Sequence, residues 1–323
     1  MPTKNRMTLT LIVLVLSSTA LLAQKSGTLT PVIDGDWWQI TGNPELGELT
    51  DPKQQPVDFG VWQAADGTWQ LWSCIRATKE PGKTRLFYGW EGKSITAKDW
   101  TPKGIKMQGD PLVGETAGGM QAPYTWKEGN VWHMFYGDWN AISSAISKDG
   151  KVFVKIIQQN TEKVTAMFTE GAGTNTRDAM VIKEGDTYYC YYTAGMGFTD
   201  EGDHQSAVAV YCRSSKDLKH WSGSKIVAKG TGDGWFDHEC PFVTKMGDYF
   251  YLFRTQRYGK ENRSTVHVSK DPLNFGMGTD KGYFVTQLPV AAMELVNDKD
   301  QWYIVALNPE LNGIRAAKLK WQK

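Results

Sequence analysis

The chain has 323 residues, with 36 Lys and Arg against 35 Asp and Glu, and a net charge of +1 supplies no field to hold nucleic acid or an anionic membrane surface. Its 41% hydrophobic and 22% charged residues are those of a folded globular protein, which excludes disorder as the main state. The 33 glycines beside 14 Trp, 13 Tyr and 12 Phe require many tight turns and many flat apolar faces.

The first element is a leader. Lys4 and Arg6 precede the apolar run Leu9 to Leu16, and small residues follow at Ser17, Ser18, Thr19, Ala20 and Ala23. This order reads as a secretory signal peptide over residues 1–23, with 24–323 as one domain in a secreted or periplasmic protein. The run is too short for a spanning helix. Of the four cysteines, Cys74, Cys190, Cys212 and Cys240, none forms a CxxC pair, so no zinc site is expected. Cys190 and Cys212 sit in neighbouring strand-like runs; a disulfide and a pair of buried thiols both fit.

From residue 60 onward one phrase recurs: a short apolar strand, a turn with Gly and an acidic or amide residue, then an aromatic strand. The copies are centred on Gly67, Gly129, Gly185 and Gly247, with a weaker fifth at Lys299, spaced 62, 56, 62 and 52 residues apart. A third strand follows, best seen at Ala207 to Ser214, Ser264 to Ser269 and Gly313 to Lys320. Phrases such as Ser215-Lys216-Asp217 and Ser269-Lys270-Asp271 come after it. Helical periodicity is nearly absent. A β-sandwich shows strand spacing without this long outer period, so the pattern predicts an all-β chain closed as a five-bladed β-propeller.

Acids fall at matched places in that repeat. Asp58 lies 9 residues before Gly67, Asp178 lies 7 before Gly185, and Glu239 lies 8 before Gly247, so each begins the first strand of its blade. First strands of a propeller line its axis, and three carboxyls would therefore converge at one mouth of the channel. Gathered acids shift one another's proton affinity, which is what a glycosidase requires: one carboxyl protonated for the leaving oxygen and one ionised.

Asp58, Arg177-Asp178 and Glu239-Cys240-Pro241 resemble the three acid motifs of the five-bladed propeller glycosidases, the arabinanase and xylosidase type of glycoside hydrolase family 43 and, more distantly, the invertase relatives of family 32. The resemblance implies an inverting hydrolase with Asp58 as general base, Glu239 as general acid and Asp178 tuning the acid and orienting substrate; exo action on oligosaccharides is the expectation for such a secreted hydrolase. Asp58 is followed by Phe59-Gly60 instead of the usual proline, and the invertase phrase Asn-Asp-Pro-Asn-Gly is missing, so the resemblance does not extend to fructosides. Where many family 43 members carry a channel histidine beside a metal ion, this chain has Val290-Ala291-Ala292-Met293-Glu294, and neither metal nor other cofactor is expected.

For a carbohydrate substrate the expected contacts are Trp62, Tyr124, Arg177, His238, Arg254 and Arg257, with Trp37, Trp38, Trp139 and Phe198 as further aromatic platforms. The arginines, His238 and His204 would add positive charge at the mouth and suit a uronic or sulfated sugar. Asn262-Arg263-Ser264 has the form of a glycosylation acceptor. Two other functions fit the same residues: a propeller that binds glycans without cleaving them, and a transglycosidase.

Overall fold

A computed structural model describes residues 27–158, 164–171, 173–195, 208–230, 238–278 and 280–323; the leader, Phe198 and His204 lie outside them. The regular structure of the described chain is almost all β-strand and forms five antiparallel sheets, the blades of a propeller. No helix among the described residues is long and apolar enough to cross a membrane.

Each blade starts with an inner strand and turns back through the predicted hairpin. The inner strands are Gln55–Gln63, Gln121–Glu128, Arg177–Glu184, Glu239–Met246 and Glu294–Asp298. The turn residues Gly67, Gly129, Gly185 and Gly247 have φ of 83, 59, 56 and 58°, and in the fifth copy Lys299 and Asp300 adopt the same left-handed region at 52 and 65°. The Ser-Lys-Asp phrase is a capped turn: Ser215 Oγ accepts from the amides of Asp217 and Leu218, while Asp217 Oδ1 accepts from those of Lys219 and His220. Blade two repeats it at Ser147 and Asp149.

The ring closes through a strand with no such phrase. Thr30–Gly42 pairs antiparallel with Gly313–Gln322, from Thr30 opposite Gln322 to Gly42 opposite Gly313, and so forms the outermost strand of blade five. Trp37 and Trp38, expected near the sugar, therefore lie on the propeller's outer edge, where Trp37 stacks under Arg315 and Trp38 meets Tyr303 edge-on.

Aromatic side chains of the second strands fill the wedges between blades. Trp62 and Trp72 pack on Phe153 between blades one and two, Phe168 on Tyr192 between two and three, and Tyr251 on Trp321 between four and five. The cysteine question is settled by register. Cys190 pairs with Arg213, and Tyr191 with Cys212, so the two thiols are one residue out of step. They point to opposite faces of the sheet, one toward blade two and the other toward blade four, and both remain free and buried.

Candidate active site

All five blades share one backbone device. The inner strand carries an extra residue near its start, visible as a register shift between Val57 and Phe59, Gln121 and Tyr124, Arg177 and Met180, and Glu239 and Phe242. At that bulge Asp58, Ala122, Asp178 and Cys240 have φ of 29, 40, 60 and 46°, and Ala292 just ahead of the fifth inner strand has 45°. A left-handed corner costs an L-residue about 1–2 kcal/mol. Its repetition turns one side chain per blade toward the axis. These residues and their neighbours line a narrow central channel of about 30 Å3.

Above the channel lies a cavity of about 560 Å3 whose wall includes Asp58, Asp178, Glu239 and Arg177. The three predicted acids are thus brought together. Arg177, buried at the start of blade three, ties two of them: its Nη2 donates to Glu239 Oε1 and its Nε lies 3.5 Å from Asp178 Oδ2, while its Nη1 donates to the Asn175 carbonyl at 3.0 Å. Asp178 Oδ2 also accepts from the Cys240 amide at 3.1 Å. The Cys240 thiol lies 3.3 Å from Asp58 Oδ1 and 3.3 Å from the Tyr258 hydroxyl.

Burial sets the proton affinities here. It pushes the Asp178 carboxyl up from 3.8 to about 7, against the pull of Arg177 and with added repulsion from Asp58 and Glu239. The same burial, beside these carboxyls, raises the Cys240 thiol well above its usual range. Asp58, Asp178 and Cys240 each bring one donor atom to within 4.8 Å of the others, the set among the described residues closest to a metal cradle. The thiol is held protonated, as a donor to carboxylate; a metal ion would need the thiolate.

Three oxygens on the cavity wall, Gln121 Oε1, Asn175 Oδ1 and Asp178 Oδ1, are buried without a protein hydrogen-bond partner. Buried polar atoms require partners, and a polyhydroxylated ligand supplies both donors and acceptors.

Five expected contacts sit outside this cavity. Trp62 is turned by strand alternation into the wedge between blades one and two, where its Nε1 donates to the Gly150 carbonyl at 2.7 Å. Tyr124 lines the channel below the acids, its hydroxyl donating to Val181 O at 3.0 Å. His238 directs its ring to Arg254, 2.6 Å away, and Arg254 also meets His267 and Asp280 within blade four. Burial and the Arg254 charge hold His238 well below its ordinary 6.5, hence neutral. Arg257 is exposed at the strand end.

Arg76, Arg85, Gln121, Asn175 and Tyr258 line the cavity and went unpredicted; Trp139, expected as a platform, does line it. A topological signal points to three of these wall residues. A second strand ends at the mouth where the first begins, and Arg76, Trp139 and Tyr258 all stand at or just after second-strand ends. A fourth acid was also missed: Glu294 is buried in the channel, its carboxyl pushed well up by burial, and its Oε2 accepts from the Val61 amide at 3.0 Å, joining blade five to blade one.

A five-bladed propeller with three carboxyls and an arginine gathered at one end of its axis defines a class of carbohydrate-cleaving proteins. Residues 91–305 match the family described as Glycosyl hydrolases family 32 N-terminal domain, and the chain belongs to that family of glycosidases. The matched stretch contains Arg177, Asp178 and Glu239 and begins after Asp58. Among solved structures, a thermostable family-43 glycoside hydrolase is 18% identical with a TM-score of 0.59, covering 84% of this chain and 89% of its own. A family 43 enzyme of Xanthomonas citri complexed with xylotriose is 15% identical, TM-score 0.57, with 83% and 88% covered. A mutant GH32 β-fructofuranosidase of Bombyx mori in complex with sucrose is 16% identical, TM-score 0.57, over 83% of this chain and 56% of that one. The chain thus spans little more than half of the fructofuranosidase. Comparison with curated proteins gave no match.

Proposed function

We propose that the protein is a secreted, exo-acting glycosidase that cleaves oligosaccharides with inversion, using Asp58 as general base and Glu239 as general acid, with Asp178 binding substrate and setting the proton affinity of the cluster. The observation that carries this reading is the convergence of the three carboxyls on one cavity wall. Asp58 and Glu239 belong to blades one and four, which are not neighbours in the ring, and an acid and a base on separate blades suit attack by water on the face of the sugar away from the leaving group. Burial of Asp178 keeps one proton in the cluster near neutral pH. Arg177 bridges Asp178 and Glu239, so its hold on each governs which of them carries that proton. A cavity closed below by a narrow channel supports recognition of a chain end. Export rests on the basic, apolar and small-residue order of residues 1–23.

The test is product analysis on a panel of plant and marine oligosaccharides, with the anomeric configuration of the first-formed sugar read by proton NMR. The reading predicts a released monosaccharide of inverted configuration; longer products would indicate transglycosylation.

A further inference from the structure

Blade one contributes two guanidinium groups to the cavity that the three-carboxyl mechanism does not use. Ile75 and Leu86 are partners in the second and third strands, so Arg76 and Arg85 stand opposite each other at the mouth-facing end of the blade. Arg76 donates through Nε and Nη2 to the neutral Gln55 Oε1, at 3.0 and 2.7 Å. Arg85 lies over the Trp139 ring, 5.0 Å from its centroid, with Lys83 4.7 Å from the same ring. No ion pair to either Arg76 or Arg85 is found among the described residues, whereas Arg177 is taken by Glu239. Arg76, Arg85 and Asp58 line the same cavity.

Their support is rigid. The Arg85 amide donates to the Gly118 carbonyl at 2.9 Å, and a Cβ added at Gly118 would meet the Pro81 carbonyl at 2.4 Å, so the two loops cross at a distance only glycine permits. Trp139 is held at φ 83°, strained for a bulky residue, and stays half-buried on the cavity wall. Glu239 is paired to Arg177 and Asp178 lies beside the same guanidinium, so Arg76 and Arg85 are the cations of the cavity wall with no carboxylate partner among the described residues.

We infer that this glycosidase acts on an anionic glycan, the sugar ring lying against Trp139 and its carboxylate or sulfate ester held between Arg76 and Arg85. The inference rests on the cavity being the substrate site, as proposed above. Planar, rigidly held guanidiniums bind either oxyanion, and the two sources are separated by experiment.

Binding is measured by tryptophan fluorescence for Glu239→Gln, so that cleavage does not interfere. Two matched pairs serve as probes: uronate oligosaccharides against their carboxyl-reduced forms, and sulfated galactan oligosaccharides against their desulfated forms. The expected result is at least about tenfold tighter binding of the charged member of one pair, weakening with salt. That preference should vanish on adding Arg76→Gln and Arg85→Gln and survive in the Arg76→Lys, Arg85→Lys version, which keeps the charge. Equal or no binding within both pairs, or a preference indifferent to the Gln substitutions, overturns the inference. Turnover of neutral oligosaccharides by wild type alongside such equality would overturn this inference alone. Tight binding of an anionic oligosaccharide that wild type never cleaves would overturn the glycosidase reading alone.

Discussion

Blades one, three and four place Asp58, Asp178 and Cys240 at the left-handed corner of their inner strands, whereas blades two and five place Ala122 and Ala292 there. The backbone is the same in all five, so the corner is a property of the fold and not of the chemistry. It costs each blade a strained residue and returns a side chain aimed at the axis. What makes one side of the ring a site is which residue fills the corner and what precedes it: Arg177 before Asp178 and Glu239 before Cys240, against Gln121 before Ala122 and Ala291 before Ala292.

The largest expected effect comes from removing the chemistry while leaving the corner. Asp58→Asn and Glu239→Gln should each lower turnover by about 10^2 to 10^4-fold with unchanged circular dichroism. An Ala122→Ser change in blade two should leave turnover within about twofold, because no proton transfer uses that position.

Next comes the pH dependence that separates the two kinds of buried acid. The folded protein holds the Asp178 proton up to about pH 7, and the unfolded chain only up to about its ordinary 3.8. Between these values folding takes up a proton, so this group's contribution to stability is greatest at the acid end and declines as pH rises toward 7. Asp178→Asn should flatten that decline in a series of thermal midpoints from pH 4 to 7; curves parallel to wild type would show that Asp178 ionises normally. Glu294 is equally buried but serves the joint between blades five and one. Glu294→Gln keeps an acceptor for the Val61 amide and should retain activity, while Glu294→Ala should destabilise by about 1–3 kcal/mol in denaturant titration.

Much of this comparison was legible in the sequence. The Gly turns and alternating aromatics report blade period and number because they are local features, and an acid's distance from its own turn fixes its height on the blade. The residues that escaped notice depend on non-local pairing. Thr30–Gly42 has no turn phrase because it is only the outer strand of a blade otherwise built from the chain's far end. Trp62 shares the inner strand of Asp58 but faces a blade wedge, a fact set by the bulge at Asp58, which shifts the alternation by one. Arg76 becomes visible as a mouth residue only once second-strand ends are superposed on first-strand starts, and Arg85 only once the third strand is paired to the second.

The smallest predicted effect probes the corner itself. Ala292, at φ 45° and with no part in the chemistry, should accept glycine with a gain of about 0.5–1 kcal/mol in denaturant unfolding, against a loss if the left-handed conformation were not strained.

The most direct test of the central claim is the release of sugar from one cleaved oligosaccharide by wild type and Glu239→Gln at equal concentration. Wild type should release sugar rapidly and the variant at least about a hundredfold less. Equal release by both, or stoichiometric binding with no product from either, would contradict it.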